Sequence, residues 1–409
     1  MTSRERVLAA LEHQEPDRVP IDLGSTTVTS IMAEALHRLR RELGLEERIV
    51  KICDIGQMLG EVELDLVERF HVDVLPVNPP LVSFGIKGEN YKPWQLFDGT
   101  PVLVPGDFHV EIGADGSWLL RHGGKSDAPV VARMPKNGYY FEDINYLKIS
   151  DELERPSLED LRDRYLFTDS ELTFMAERAA YLRRFTDKAL VAGLWGKCGL
   201  GSIGSLNNFL MLLGLDRGYV KEFLHAKHEV VMENLRLLWE AVGDKLDVIG
   251  LEGFDFGMQK SELISPSDFN ELYMPYYKEQ NAWIHTNTPW KTFLHSCGSI
   301  AQILPMIVET GFDVLNPVQC TAAGMDPVWL KEQFGHRLTF WGGGVDTQTT
   351  LPFGSPDEVR AQVKERMQIL APGGGFVFCP VHNIQHSVPA ENIKAAYDAA
   401  YEHGWYPIV

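Results

Sequence analysis

The chain has 409 residues, 44% hydrophobic and 23% charged, enough for a large buried core without covalent staples. Its net charge of −19 argues against a nucleic-acid partner, which is gripped by clustered Lys and Arg. No run approaches the 18 uncharged apolar residues of a membrane span, and the opening MTSRERVLAALEHQEPDRVP lacks the apolar stretch of a signal peptide. Five scattered cysteines (Cys53, Cys198, Cys297, Cys320 and Cys379) argue against a disulfide framework and for a reducing cytoplasmic setting.

In chain order, the candidate strands are VPIDLG (19–24), VDVLPV (72–77), ALVAGLWG (189–196), LDVIGLEG (246–253), KTFLHSC (291–297), DVLNPV (313–318), LTFWGG (338–343) and GFVFCPV (375–381). They are short, continuously apolar and bounded by Gly, Pro and Asp, as strands buried on both faces of a parallel sheet should be. Eight is the number a (β/α)8 TIM barrel requires, so the expected class is α/β, with residues 1–409 forming one barrel domain. Helical patterns fill the gaps. SPSDFNELYMPYYKEQNAWIH opens with Ser265 as cap and Pro266 at the first helical position, and SPDEVRAQVKERMQIL repeats the device with Ser355, Pro356 and Glu358. PAENIKAAYDAAYEHG starts at a proline and stops at a glycine. Residues 85–143 break the rhythm with alternating strands and DG turns, and read as a β-hairpin insertion between barrel units.

The chemistry centres on KTFLHSCGSI. On a strand, residues two apart share a face, so His295 and Cys297 point the same way, at the end of a barrel strand where active sites are built. Imidazole and thiolate are ligands zinc favours, and a catalytic zinc takes three protein ligands. The last strand, GGGFVFCPVHNIQHSVPAEN, offers Cys379 or His382 as the third. The blander reading makes Cys297 a small core hydrophobe and His295 a hydrogen-bonded core histidine; a third makes Cys297 a nucleophile activated by His295. Other polar groups gather at predicted strand ends. Asp22, Glu252 and Asp255 are candidates for acid–base work, and Glu252 or Asp255 for a displaceable fourth ligand. Gln319 and Asp346 are candidate substrate contacts, with helix capping the alternative for Asp22 and Asp346. The glycines 342–344 suit either a close ligand approach or a turn. Cys53, Cys198 and Cys320 are read as core residues or supports.

These residues bring a family into view. RERVLAALEHQEPDRVP, ELDLVERFHVDV, ISPSDFNELYMPYYK, HSCGSI, GVDTQTTLPFGSPDEV and PAENIKAAYDAA together resemble the uroporphyrinogen decarboxylase superfamily, over nearly the whole chain. The similarity is to its zinc-dependent, corrinoid-linked methyltransferase branch. That resemblance implies a β/α barrel, a zinc held by His295, Cys297 and a last-strand residue, and a corrinoid carrier protein as partner. In the branch the third ligand is a cysteine shortly before Pro-x-Glu-Asn; counting back from Pro389 lands nearer His382 than Cys379, which ranks His382 first. The decarboxylase proper grips porphyrin carboxylates with an arginine-rich stretch, where this chain has VPIDLGSTTVTS without arginine. The implied activity is methyl transfer between a corrinoid and a small methylated substrate, such as a methoxylated aromatic, a methylamine or a thiol. Trp195, Phe254 and Trp341 are candidates for the substrate pocket or docking rim, with core packing the alternative. The runner-up is a metal-independent decarboxylase of porphyrinogens or other polycarboxylates, and a third class is a barrel that binds tetrapyrrole without turnover.

Overall fold

The computed structural model describes residues 1–80, 82–145, 148 and 152–408. Among these, seven of the eight apolar runs form one parallel sheet. Its strands are Val74–Pro76 (β1), Ala189–Gly193 (β2), Val248–Glu252 (β3), Lys291–His295 (β4), Val314–Asn316 (β5), Thr339–Trp341 (β6) and Phe376–Val377 (β7), each hydrogen-bonded to the next. The ladder runs through pairs such as Val191 with Val248, His295 with Asn316 and Trp341 with Val377. Helices cover the outside, so these strands are buried on both faces, which explains their unbroken apolar runs.

The eighth run falls short of a strand. Ile21 pairs with Phe378 in a single parallel bridge, and on its other side the Ile21 carbonyl accepts the Asp73 amide at 2.8 Å. The segment therefore spans the seam between β7 and β1 and closes the barrel. Pro20 has no amide to donate, and Asp22 turns the chain by accepting the Ser25 amide at 3.1 Å, so pairing stops there.

The helix signals in the sequence have direct counterparts. Ser355 and Glu358 form a reciprocal capping box at Pro356–Leu370, and Ser265 caps Pro266–Leu272. One reading needs correction. The SPSDFNELYMPYYKEQNAWIH segment is two helices, Pro266–Leu272 and Met274–Asn287, because Pro275 has no amide to continue the first.

The insertion is β-rich, as expected, but it is not a free-standing hairpin. Pro101–Val104 pairs antiparallel with Lys92–Gln95 and in parallel with Val50–Asp54, which in turn pairs with Leu59–Gly60. Val110–Ile112, Trp118–Arg121, Val130–Met134 and Glu142–Asp143 form a second antiparallel sheet. Trp94, Phe97, Phe108, Trp118 and Phe141 pack edge-to-face and stacked between them, continuous with the core of the barrel.

At the N-terminal end of the barrel a device repeats. Asp73, Asp247 and Asp313 each stand one residue before a strand, and each accepts a backbone amide from the neighbouring strand or seam: Ile21 at 2.9 Å, Leu190 at 2.7 Å and Thr292 at 2.8 Å. Each is also met by cationic or imidazole groups, with Arg6 and Arg18 on Asp73, Arg4 and Arg183 on Asp247, and His285 on Asp313.

Candidate metal centre

β4 points Phe293 and His295 to the same side by its two-residue period, and the chain then turns sharply through Ser296–Gly298. Gly298 has φ +87°, and a Cβ there would lie 2.5 Å from the Gly257 carbonyl carbon, so the glycine lets two loops pack back to back. The turn is held by four hydrogen bonds. Ser296 donates its amide to Asn316 O (2.8 Å), the Phe256 amide donates to Ser296 Oγ (2.9 Å), and the amides of Cys297 and Gly298 donate to Asp255 Oδ1 and Gln319 Oε1 (both 2.7 Å). This framework fixes where Cys297 Sγ points.

Three side chains converge there. His295, Cys297 and His382 each offer a donor atom, and these atoms lie within 4.8 Å of one another. Cys297 Sγ is 3.6 Å from His295 Nε2, and Asp255 Oδ1 is also 3.6 Å from that nitrogen. Two asparagines settle which nitrogens are bare. Asn316 Nδ2 donates to the main-chain carbonyl of Trp341 at 2.7 Å, which turns its Oδ1 toward His295 Nδ1 at 2.6 Å. An amide oxygen only accepts, so in the neutral ring the proton sits on Nδ1 and Nε2 is the bare nitrogen. Asn383 Oδ1 does the same for His382 Nδ1 at 3.0 Å.

The donor set fits a soft divalent cation. Burial, with His295 adding to it, pushes His382 down to about 4, so it is neutral at physiological pH, as a ligand must be. Burial, with the Asp255 charge adding to it, pushes the Cys297 thiol up; a thiolate there needs a cation beside it. The same shift disfavours the lone nucleophile. Two bare imidazole nitrogens and one sulfur are the kinds of donor zinc takes.

The other candidate residues sit elsewhere or are already engaged. Cys379 is fully buried and not in the cluster; its Sγ packs 3.2 Å from the place a Cβ on Gly342 would occupy. Glu252, considered as a fourth ligand or acid, accepts five hydrogen bonds, from the amides of Leu200, Gly201, Gly253 and Phe254 and from the Tyr277 hydroxyl, all between 2.8 and 3.1 Å. That saturation makes it an anchor for loops rather than a reacting group. Asp22 is fully buried below the mouth and accepts from Ser25 Oγ (2.7 Å) and Trp341 Nε1 (2.8 Å), and burial holds its carboxyl above the usual range. Trp341 is correspondingly a core residue, stacked edge-on against Phe293 at 5.5 Å, not part of a pocket wall. Gln319 spends its oxygen on Gly298, and Asp346 spends its own on Gln348 and Thr349, so both shape loops. Trp195 and Asp255 remain at the site. The Trp195 ring is half-buried, 6.3 Å from His295, over Gly250 and Gly253, and the Asp255 side chain is 46% exposed. Asn316 and Asn383 escaped the sequence reading; their only signal is a polar amide at a predicted strand end and one beside a candidate ligand.

Comparison with known proteins bears on the fold and on what the chain is similar to. Residues 201–403 match the family model of uroporphyrinogen decarboxylase (URO-D). The second half of the chain thus matches the uroporphyrinogen decarboxylase family, in line with the resemblance of its motifs. Over 142 residues the chain is 28% identical to the methylcobamide:CoM methyltransferase MtaA of Methanosarcina barkeri, covering 35% of this chain and 38% of that protein. Over 143 residues it is 24% identical to the methylated-thiol–coenzyme M methyltransferase of Methanosarcina mazei, covering 35% of each. These matches span little more than a third of the relatives' length. A solved methyltransferase from Methanosarcina mazei shares the fold, with a TM-score of 0.57 at 19% identity over 98% of this chain and 99% of that one. No helix among the described residues is long and apolar enough to cross a membrane.

Proposed function

We propose that this protein is a zinc-dependent methyltransferase that moves a methyl group between a small methylated substrate and a corrinoid carried by a partner protein. The observation that carries the reading is the convergence of His295, Cys297 and His382 at the barrel mouth. Methyltransferases acting with methylcobamide or methylated thiols among its relatives support it.

His295 Nε2, Cys297 Sγ and His382 would hold the metal. When bound, zinc supplies Lewis acidity that makes a thiolate available at neutral pH or polarises an ether oxygen. The rest falls to the chain's own residues. Two neutral imidazoles and one thiolate leave a divalent cation with one net positive charge, which favours an anionic thiolate substrate over a neutral ether or amine. Asp255, half exposed and hydrogen-bonded to the Cys297 amide, is placed to take the proton a thiol gives up on entry. Trp195 walls one side of the mouth and keeps water from the reacting atoms. The wall of Trp195 and the buried Phe293 beneath it, 5.5 Å apart, suits the methyl group of a small substrate rather than a polycarboxylate.

The test is methyl transfer from methylcobalamin to a panel of thiols, with metal content measured on the same samples. The proposal requires that Cys297→Ala lose both zinc and at least a hundredfold in rate, on the order of 3 kcal/mol. Retention of both by that variant would sink it.

A further inference from the structure

The third donor, His382, lies on the loop after β7, which Tyr139 of the insertion meets by stacking on His386 and which Gln57, from the strand pair beside the insertion, meets next to the histidine itself. Asn383, beside the histidine, is fully buried, and all four of its side-chain hydrogen-bonding positions are filled. Nδ2 donates to Thr27 O at 3.2 Å and to Gln57 Oε1 at 2.6 Å; Oδ1 accepts from His382 Nδ1 at 3.0 Å and from Gln385 Nε2. The Thr27 carbonyl cannot donate, so it keys the amide one way round, and Gln57 supplies the shorter of the two bonds on the same nitrogen.

Gln57 belongs to the turn between Val50–Asp54 and Leu59–Gly60, and that turn is clamped from several sides. Its amide donates to Asp54 Oδ1 at 2.8 Å, the Ile55 amide donates to Val82 O at 2.9 Å, and the Phe141 amide donates to Gly56 O at 2.7 Å. Val82 lies just before the insertion and Phe141 near its end, so the chain entering and leaving the inserted sheets closes onto the turn that presents Gln57.

We infer that Gln57 is a positioning residue for the metal centre. By holding Asn383 it keeps the proton on His382 Nδ1 and aims the bare Nε2 at the cation, which gives the insertion a part in assembling the site. The inference rests on the zinc reading above. Groups bonded directly to a metal's ligands, as Asn383 would be, commonly carry ten- to a hundredfold in affinity, and Gln57, one bond further out, is set at the lower end.

The test uses the full chain as wild type, Gln57→Met, which keeps the volume without the acceptor, and Gln57→Glu, which keeps an acceptor oxygen. Zinc affinity is read by competition with a colorimetric chelator, cobalt(II) reports the ligand field by absorption, and thermal melting confirms folding. Gln57→Met should bind zinc about tenfold more weakly and alter the cobalt d–d bands while the thiolate-to-cobalt charge-transfer band persists; Gln57→Glu should restore both. If Met does not fold, Gln57→Ala gives the same comparison with Glu. Unchanged affinity and spectrum in Gln57→Met, or a Glu variant no better than Met, overturns the inference while leaving the zinc reading intact. A wild-type chain that binds no metal overturns both.

Discussion

The two ends of this barrel use similar polar residues in opposite ways. At the N-terminal end, Asp73 receives two hydrogen bonds from Arg18, one from Arg6 and one from the Ile21 amide, and nothing is left over. At the C-terminal end, His295 Nε2, Cys297 Sγ and Asp255 Oδ1 face one another with no lysine or arginine among them, and Asn316 Oδ1 keeps the imidazole proton on the far side of His295, at Nδ1. A saturated cluster holds the fold; a cluster of ligand atoms with nothing cationic among them is what the proposed metal would complete. The contrast matches the division of labour in β/α barrels between a stabilising and a reactive face.

Substitutions at each end should therefore separate stability from metal binding. The largest effect belongs to Asp73→Ala, which strands two buried guanidiniums and should cost about 3–5 kcal/mol in denaturant unfolding, with zinc per folded chain unchanged. Loss of zinc without loss of stability in that variant would break the comparison. Asn316→Leu should do the reverse, lowering zinc affinity about ten- to a hundredfold in chelator competition with a smaller change in unfolding. Gly298→Ala adds a Cβ in a left-handed conformation, roughly 1–2 kcal/mol, and against the Gly257 backbone; it should loosen the Cys297 turn, with weaker zinc binding as the readout.

The smallest effect is in acid. Arg6, through a two-pronged hydrogen bond, holds Asp17 below its ordinary value of 3.8, against a burial that acts the other way. A lowered carboxyl stabilises the fold fully above the unfolded value and loses that contribution as the pH falls below it, toward the folded value. The thermal midpoint should thus drop more steeply below pH 3.8 in the wild type than in Asp17→Asn.

Much of the fold is written locally. Unbroken apolar runs mark strands buried on both faces, and Ser-Pro-x-Glu marks helix starts, because each depends on residues close in the chain. VPIDLG looked like a strand for the same reason, but its pairing is decided by Asp73 and Phe378, far away in sequence. The site divides along the same line. His295 and Cys297 are legible since strand geometry alone puts them side by side. Glu252 and Asp346 were misleading because a carboxylate at a strand end reads alike whether its oxygens are free or filled, and the filling donors come from remote loops. The Gln57–Asn383 bond joins residues 326 apart, which no local pattern shows.

The most direct measurement is zinc per chain, by elemental analysis, for wild type, His382→Ala and Cys379→Ser purified without chelators or an affinity tag. About one zinc in the wild type and in Cys379→Ser, with loss in His382→Ala, is the predicted result. Zinc retained in His382→Ala and lost in Cys379→Ser, or no zinc in the wild type, would contradict the centre described for this barrel.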